Sequence, residues 1–213
     1  MSIIQRFLHV ARVYGIRYAI IATWRFLTGG TKWVARWDLP TDPRFKFERE
    51  WIKLLADNRN MTGAEIGVRD GVHAGYLIDT LDIENLYLID LYEVYDEYPY
   101  VGNNNRMTQY ETIAQERLGG LKSTIFIRKY SNDAISDIEN CLDFVYIDGN
   151  PEYKFVKDDI SNYYPLVKEG GVLAGGYHNT PGFQAIKEFS QRNHLEVRSD
   201  ISNEWFIIKP TTE

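Results

Sequence analysis

Five short polar segments each follow an apolar run, and each carries side chains able to do chemistry. The first is Glu65-Ile66-Gly67-Val68-Arg69-Asp70-Gly71. Its Gly-x-x-x-Gly spacing is not the Gly-x-Gly-x-x-Gly turn that seats a pyrophosphate on a helix N-terminus. It suits a ligand without phosphate there, approached closely by backbone, with Glu65 near a cationic group. An ordinary tight turn is the competing reading. The second strand end carries Asp90, 25 residues after Glu65. A carboxylate there can take both ribose hydroxyls of an adenosine-type ligand; a helix cap or solvated turn is the alternative. Tyr130-Ser131-Asn132-Asp133 can meet an adenine amino group, can cap the next helix, or both. Asp148, in Asp148-Gly149-Asn150-Pro151-Glu152-Tyr153, can orient a cation, bind a divalent metal or accept a proton. Gly175-Gly176-Tyr177-His178-Asn179 brings His178, a base near neutral pH, although a lone loop histidine is often only solvated. His9, His73 and His194 offer less: an amphipathic helix, a helix start and the approach to an edge strand.

These segments need a scaffold that aligns them. Strand-like runs at Ala64–Val68, Asn85–Leu91, Ser123–Arg128, Leu142–Ile147 and Gly171–Gly175 alternate with helical stretches at Val72–Thr80, Asn105–Leu118, Asp133–Asn140, Glu152–Tyr164 and Gly182–Arg192. Such alternation predicts parallel pairing with helices on both faces. Leu195–Arg198 and Trp205–Lys209 are too close for a helical crossover, so one of them must run antiparallel. The expected fold is α/β: a doubly wound, seven-stranded, mostly parallel sheet with an antiparallel C-terminal hairpin and an N-terminal helical extension. In such a sheet ligands bind beyond the carboxyl ends of the strands, where the strand order switches.

Composition narrows the class. The chain has 213 residues, 44% hydrophobic and 25% charged, which is globular. Its net charge of −6 conceals an asymmetry. Residues 1–37 carry six Arg and Lys and no acid, so the remainder sums to −12. An acidic body argues against a general nucleic-acid binder. The one cysteine, Cys141, excludes a disulfide framework within the chain and reads as a small buried residue before a strand. A reducing cytoplasm is the default compartment.

Ser2 to Leu27 reads as a helix with an apolar face (Ile3, Ile4, Phe7, Leu8, Tyr14) and a basic one (Arg6, Arg12, Arg17). The uncharged run between Arg17 and Arg25 has 7 residues, far short of the roughly 20 that span a bilayer. Two readings stay open: an interfacial helix on an anionic inner-membrane surface, or a helix packed on the body or on a second subunit, as in a homodimer. Phe45 to Asn58 reads as another helix, with Phe47, Trp51, Leu54 and Leu55 on one face. The expected division is residues 1–58 as the extension and 59–213 as the ligand-binding domain.

One longer block is more specific than the glycine loop. Leu142-Asp-Phe-Val-Tyr-Ile-Asp-Gly149, then Tyr153, Val156, Asp158-Asp159-Ile160, Pro165-Leu166-Val167 and Gly170-Gly171 resembles the bacterial class I S-adenosylmethionine (SAM) dependent O-methyltransferases that tailor sugars, polysaccharides and natural products. The likeness continues through Phe183–Phe189 to Trp205–Lys209 and covers residues 62–209. It implies SAM as cofactor, with Glu65, Gly67, Gly71, Asp90, Ser131 and Asp148 at the cofactor site. Two positions depart from the pattern. Pro151 stands where the family commonly has histidine. Gly175-Gly176-Tyr177-His178 stands where it commonly has a carboxylate that helps hold a metal. One carboxylate, Asp148, is a poor seat for a hard cation, so no tightly bound metal is expected. His178 is the expected base, with Tyr177 or Asp148 assisting, and the Tyr-rich stretch Tyr92–Tyr100 is a lid or acceptor wall, or a mobile loop.

The expected activity is methyl transfer to an oxygen of a small molecule or saccharide. A non-catalytic SAM-binding or scaffold protein is the alternative, since two family positions are altered. A nicotinamide oxidoreductase is disfavoured by the missing dinucleotide turn.

Overall fold

A computed structural model of the chain describes residues 49–97, 103–138, 141–176, 180–199 and 204–211. The expectations for residues 2–27, for the 1–58 extension before Arg49, and for Tyr177 and His178 lie outside the described residues.

The elements run α1 (Glu50–Leu55), β1 (Met61–Ile66), α2 (Val72–Thr80), β2 (Ile83–Ile89), α3 (Asn104–Leu118), β3 (Thr124–Ile127), α4 (Ser131–Ala134), β4 (Leu142–Ile147), α5 (Tyr153–Tyr163), β5 (Val167–Gly175), α6 (Gly182–Arg192), β6 (Arg198–Ser199) and β7 (Trp205–Ile208). They form one seven-stranded sheet of order β3-β2-β1-β4-β5-β7-β6. The first five strands of that order pair in parallel. β7 runs antiparallel to both β5 and β6. The expected architecture is therefore present, including its antiparallel end.

The strands alternate their side chains between two apolar layers. Leu88, Phe144, Val172 and Phe206 face α1, α2 and α3 through Trp51, Leu77 and Leu118. Ile66, Val145, Ile147, Leu173 and Trp205 face α5 and α6 through Val156, Ile160, Tyr163 and Ile186. Burial on both faces is why the strand sequences read as near-continuous apolar runs. Each fully buried large side chain contributes about 1.5–3 kcal/mol.

The order reverses between β1 and β4, whose ends lie side by side with Ile66 paired to Ile147. The ladder extends one residue past each strand end. The Asp148 amide donates to the Ile66 carbonyl (2.7 Å), that of Gly67 to Ile89 (2.9 Å), and that of Asp90 to Ile127 (3.2 Å). Gly67, Asp90 and Asp148 are thus held at one edge of the sheet by backbone pairing.

Several local expectations need correction. The helix expected at Asp133–Asn140 starts earlier, as α4, and passes into a 3-10 turn at Ile135–Asp137. Ile138 is already extended, because the chain must turn back into β4. β5 begins at Val167 rather than Gly171. Its first residue, Val167, pairs with Leu142 of β4, and beyond β7 Gly170 donates to Lys209 and Lys209 to Gly171. The strand expected at Leu195–Arg198 shrinks to Arg198–Ser199, after His194 takes a left-handed φ of 55°. Cys141 is exposed, not buried, because it precedes the first paired residue of β4. Trp51 and Leu55 are buried as expected, but Leu54 is half exposed, since α1 turns only a narrow stripe to the sheet.

Candidate functional site

A cavity of about 280 Å³ opens over the carboxyl ends of β1, β2, β3 and β4. Gly67, Asp90, Ser131 and Asp148 line it. Glu65 and Gly71 do not line it; they lie beneath and behind the glycine loop.

The loop requires glycine at both of its marked positions. Gly67 has φ +86°, and a Cβ there would stand 2.2 Å from the Asp148 carbonyl oxygen. Gly71 has φ +72° and precedes the first turn of α2, with space for a Cβ closed by Leu118 at 2.8 Å. Left-handed backbone and close approach both favour a residue without a side chain. Arg69, between them, also takes a left-handed φ of 53°.

Asp90 is fixed from two sides. Its Oδ2 accepts the Arg69 amide and its Oδ1 the Tyr92 amide, each at 2.9 Å. Burial raises its pKa, although those amide bonds pull the other way. A carboxylate held by both oxygens is oriented before any ligand arrives.

Ser131 opens α4, and its hydroxyl donates to Asp159 of α5. The Ser131 carbonyl accepts the Tyr163 hydroxyl at 2.7 Å. Asp159 is 3% exposed and lines the same cavity. Burial pushes its pKa up to about 7, against the Ser131 bond, which lowers it. Tyr95, Tyr130 and Phe155 wall this end; Tyr95 meets Tyr130 edge-on at 5.5 Å and Phe155 at 5.9 Å. The Asn150 amide reaches the Glu97 carbonyl at 3.3 Å and holds the β2–α3 loop over the wall. Aromatic faces beside a carboxylate and a hydroxyl suit a flat heterocycle carrying an amino group.

Asp148 is exposed at the centre of the edge. Glu65 is 1% exposed, and its pKa stands well above the ordinary range because of burial first and Asp148 second. His73 Nδ1 lies 3.2 Å from Glu65 Oε1, and the His73 ring packs on Tyr146 at 4.0 Å. Tyr146 donates to Glu204 at 2.8 Å; Trp51 donates to the same carboxylate at 3.0 Å, and Arg49 pairs with it at 3.0 Å. A buried polar layer thus underlies the glycine loop. Among the described residues no three His, Cys, Asp or Glu side chains gather to hold a metal ion.

Sequence reasoning brought Gly67, Asp90, Ser131 and Asp148 to one cavity. It missed Asp159, Asn150, Phe155 and the His73–Glu65 contact. Asp159 had a readable signal: it interrupts the inward apolar stripe Val156, Ile160, Tyr163 of α5 with an acid. The His73 contact had none, because it depends on how α2 lies across β1.

Residues 64–176 match the family model described as "Methyltransferase domain". The search of the curated proteins finds no match. Solved structures share the fold. The O-methyltransferase NovP aligns with TM-score 0.57 at 17% identity, over 76% of this chain and 77% of its own. The MycE methyltransferase of mycinamycin biosynthesis, solved with Mg, SAH and mycinamycin VI, aligns with TM-score 0.57 at 16% identity, over 95% of this chain and 60% of its own. An rRNA methylase from Streptococcus thermophilus aligns with TM-score 0.55 at 11% identity, over 75% of this chain and 94% of its own. With more than half its length inside the family model, and a cavity at the switch point of the sheet, this chain belongs to the methyltransferase-domain family and is a class I SAM-dependent methyltransferase.

Proposed function

We propose that this enzyme methylates an oxygen of a small-molecule or saccharide acceptor without a tightly bound metal. The observation that carries the reading is the convergence of Gly67, Asp90, Ser131 and Asp148 on one cavity. When bound, SAM supplies an electrophilic methyl group on a sulfonium. Gly67 leaves room for close backbone approach. Asp90 receives the ribose hydroxyls. Ser131 and Asp159 would hold the purine amino group at the end walled by Tyr95, Tyr130 and Phe155. Glu65, held at His73, acts beneath the loop, and a cationic group above it favours its ionised form. Gly71 sets the turn into α2. Asp148 orients the cationic end, and much of the acceleration comes from aligning donor and acceptor. His178, with Tyr177 or Asp148 assisting, takes the proton of the attacking hydroxyl.

The donor set supports a metal-free reading. Asp148 is followed across the edge by Gly176 and, in sequence, by Tyr177-His178, which gives one carboxylate where a hard cation wants several oxygens. An oxygen acceptor is favoured by the tailoring enzymes that the sequence resembles, and NovP is an O-methyltransferase of the same fold. An acidic body disfavours an RNA acceptor.

Methyl-labelled SAM incubated with the full chain and a cell glycan or metabolite extract tests this. A labelled methyl ether whose formation survives EDTA is expected, with at least a tenfold loss in His178→Ala. Label on nitrogen or on RNA, loss of turnover in EDTA, or full turnover of His178→Ala overturns the corresponding part. Co-pelleting with anionic liposomes tests the membrane reading of residues 2–27. Equal recovery in the supernatant with and without lipid rejects it.

A further inference from the structure

The cavity has a second chemical character on its β2 side. Arg69, from the glycine loop, and Arg106, from the first turn of α3, both line it and both turn onto one phenol. Arg69 Nη2 donates to the Tyr110 hydroxyl at 3.0 Å and Arg106 Nε at 2.8 Å. Their guanidinium carbons stand over the Tyr110 ring at 4.9 and 5.4 Å.

Two cations brought together on one oxygen repel each other, and a carboxylate between them would be the ordinary remedy. Among the described residues neither arginine forms an ion pair with one. Two nearby acids are engaged elsewhere: Glu93, on the loop after β2, lies 3.2 Å and Glu111, on α3, 3.6 Å from Arg128. The Tyr110 oxygen accepts from both arginines and keeps its own hydrogen to donate. Burial raises the Tyr110 pKa, but the two guanidinium bonds outweigh it and lower the pKa overall, as a strong local positive potential would.

The placement separates this cluster from the cationic end of the cofactor site. The Arg69 amide is spent on Asp90, and its side chain runs away from β4 toward α3. Glu65 and Asp148 lie on the other side. Two guanidinium forks and a phenol hydroxyl converging from the glycine loop and α3 offer several donors to one oxyanion, and a phosphate, with three free oxygens, can use more of them than a carboxylate with two. In a body that sums to −12 with this pair included, such a local cation pair is also what would admit an anionic substrate.

We infer that Arg69, Arg106 and Tyr110 form a phosphate-binding subsite that holds a phosphate group of the acceptor. This rests on the proposed small-molecule or saccharide acceptor, and it narrows that class to phosphorylated compounds.

The test uses the full chain saturated with S-adenosylhomocysteine and titrated calorimetrically with inorganic pyrophosphate. Saturable binding is expected, weakened at least tenfold in Arg106→Gln and in Tyr110→Phe, with both variants melting within a few degrees of the parent. Glucose 1-phosphate and UDP-glucose, titrated in parallel, tell whether the phosphate arrives on a simple sugar phosphate or a nucleotide sugar; binding of either that is lost in Arg106→Gln supports the subsite. No pyrophosphate binding to the saturated parent overturns it. So does binding unchanged in both variants. A third overturning result concerns the cofactor itself. If Arg106→Gln loses affinity for S-adenosylhomocysteine but not for its decarboxylated analogue, the cluster holds the cofactor's own carboxylate. Failure of the parent to bind S-adenosylhomocysteine at all would instead strike the cofactor site and is read separately.

Discussion

The two faces of the sheet are built differently. Against α5 and α6 the packing is almost wholly aliphatic and aromatic, with Asp159 as the acid set into the stripe. Against α1 and α2, beside an apolar layer of similar extent, sits a polar group of Arg49, Glu65, His73, Tyr146 and Glu204. The polar group lies under the glycine loop, while Asp159 lies at the aromatic end of the cavity. In both places buried charge occurs next to the site; Asp79, in the last turn of α2, is a further buried acid outside the cavity. Buried ionisable groups are weak contributors to stability but strong determinants of local geometry. The difference teaches that one face fixes the loop by hydrogen bonds and the other by close packing.

The largest effect should come from the polar face. Glu204→Ala removes the acceptor shared by Trp51, Tyr146 and Arg49 and takes from the buried Arg49 its carboxylate at 3.0 Å, so urea unfolding should show a loss of about 3–5 kcal/mol. A loss under about 1 kcal/mol would make the polar face no more consequential than a surface pair.

Next comes the pH response of the opposite face. The folded pKa of Asp159 is raised to about 7 from an ordinary 3.8. The native state therefore holds a proton that the unfolded chain has released between these values. Stability contributed by that proton is present below about pH 4 and is lost as pH rises to 7, with a slope of up to about 1.4 kcal/mol per pH unit. Glu65 adds to the slope in the same direction. Asp159→Asn should flatten the dependence of unfolding free energy on pH across that window. An unchanged slope would remove Asp159 from the comparison.

Ile160→Val, one residue further along α5, trims a methylene from a fully buried side chain and should cost about 0.5–1.5 kcal/mol with no change of pH slope. A pH-dependent effect there would mean that the two positions are not separable. The smallest effect belongs to the surface. Lys129→Ala breaks an exposed pair with Asp137 at 2.6 Å and should change stability by less than about 1 kcal/mol, and less still in high salt.

Much of this architecture was legible because it follows from local rules. Apolar runs of strand length separated by amphipathic stretches required a parallel sheet, and the short gap before Trp205 required an antiparallel end. Gly67, Asp90, Ser131 and Asp148 were legible for a related reason: each follows a strand directly, and a parallel sheet gathers all such positions at one edge. Boundaries were less legible. β5 starts at Val167 because Val167 pairs with Leu142 of β4 and Gly170 and Gly171 find partners at Lys209, all far along the chain.

The sequence by itself determined the element types, the sheet class and which residues stand at the ligand edge, because periodicity and strand-end position are properties of neighbours in the chain. Tertiary structure alone decided which of those residues line the cavity and which support it. Glu65 lies beneath the loop because it is on the face of β1 that α2 covers, where it meets His73. Asp159 reaches the cavity because α5 crosses the end of β3, where it meets Ser131. Arg69 and Arg106 share one phenol only because a left-handed residue in the glycine loop turns toward the start of α3. Those contacts join residues 8, 28 and 41 positions apart, and no local pattern specifies how such segments cross.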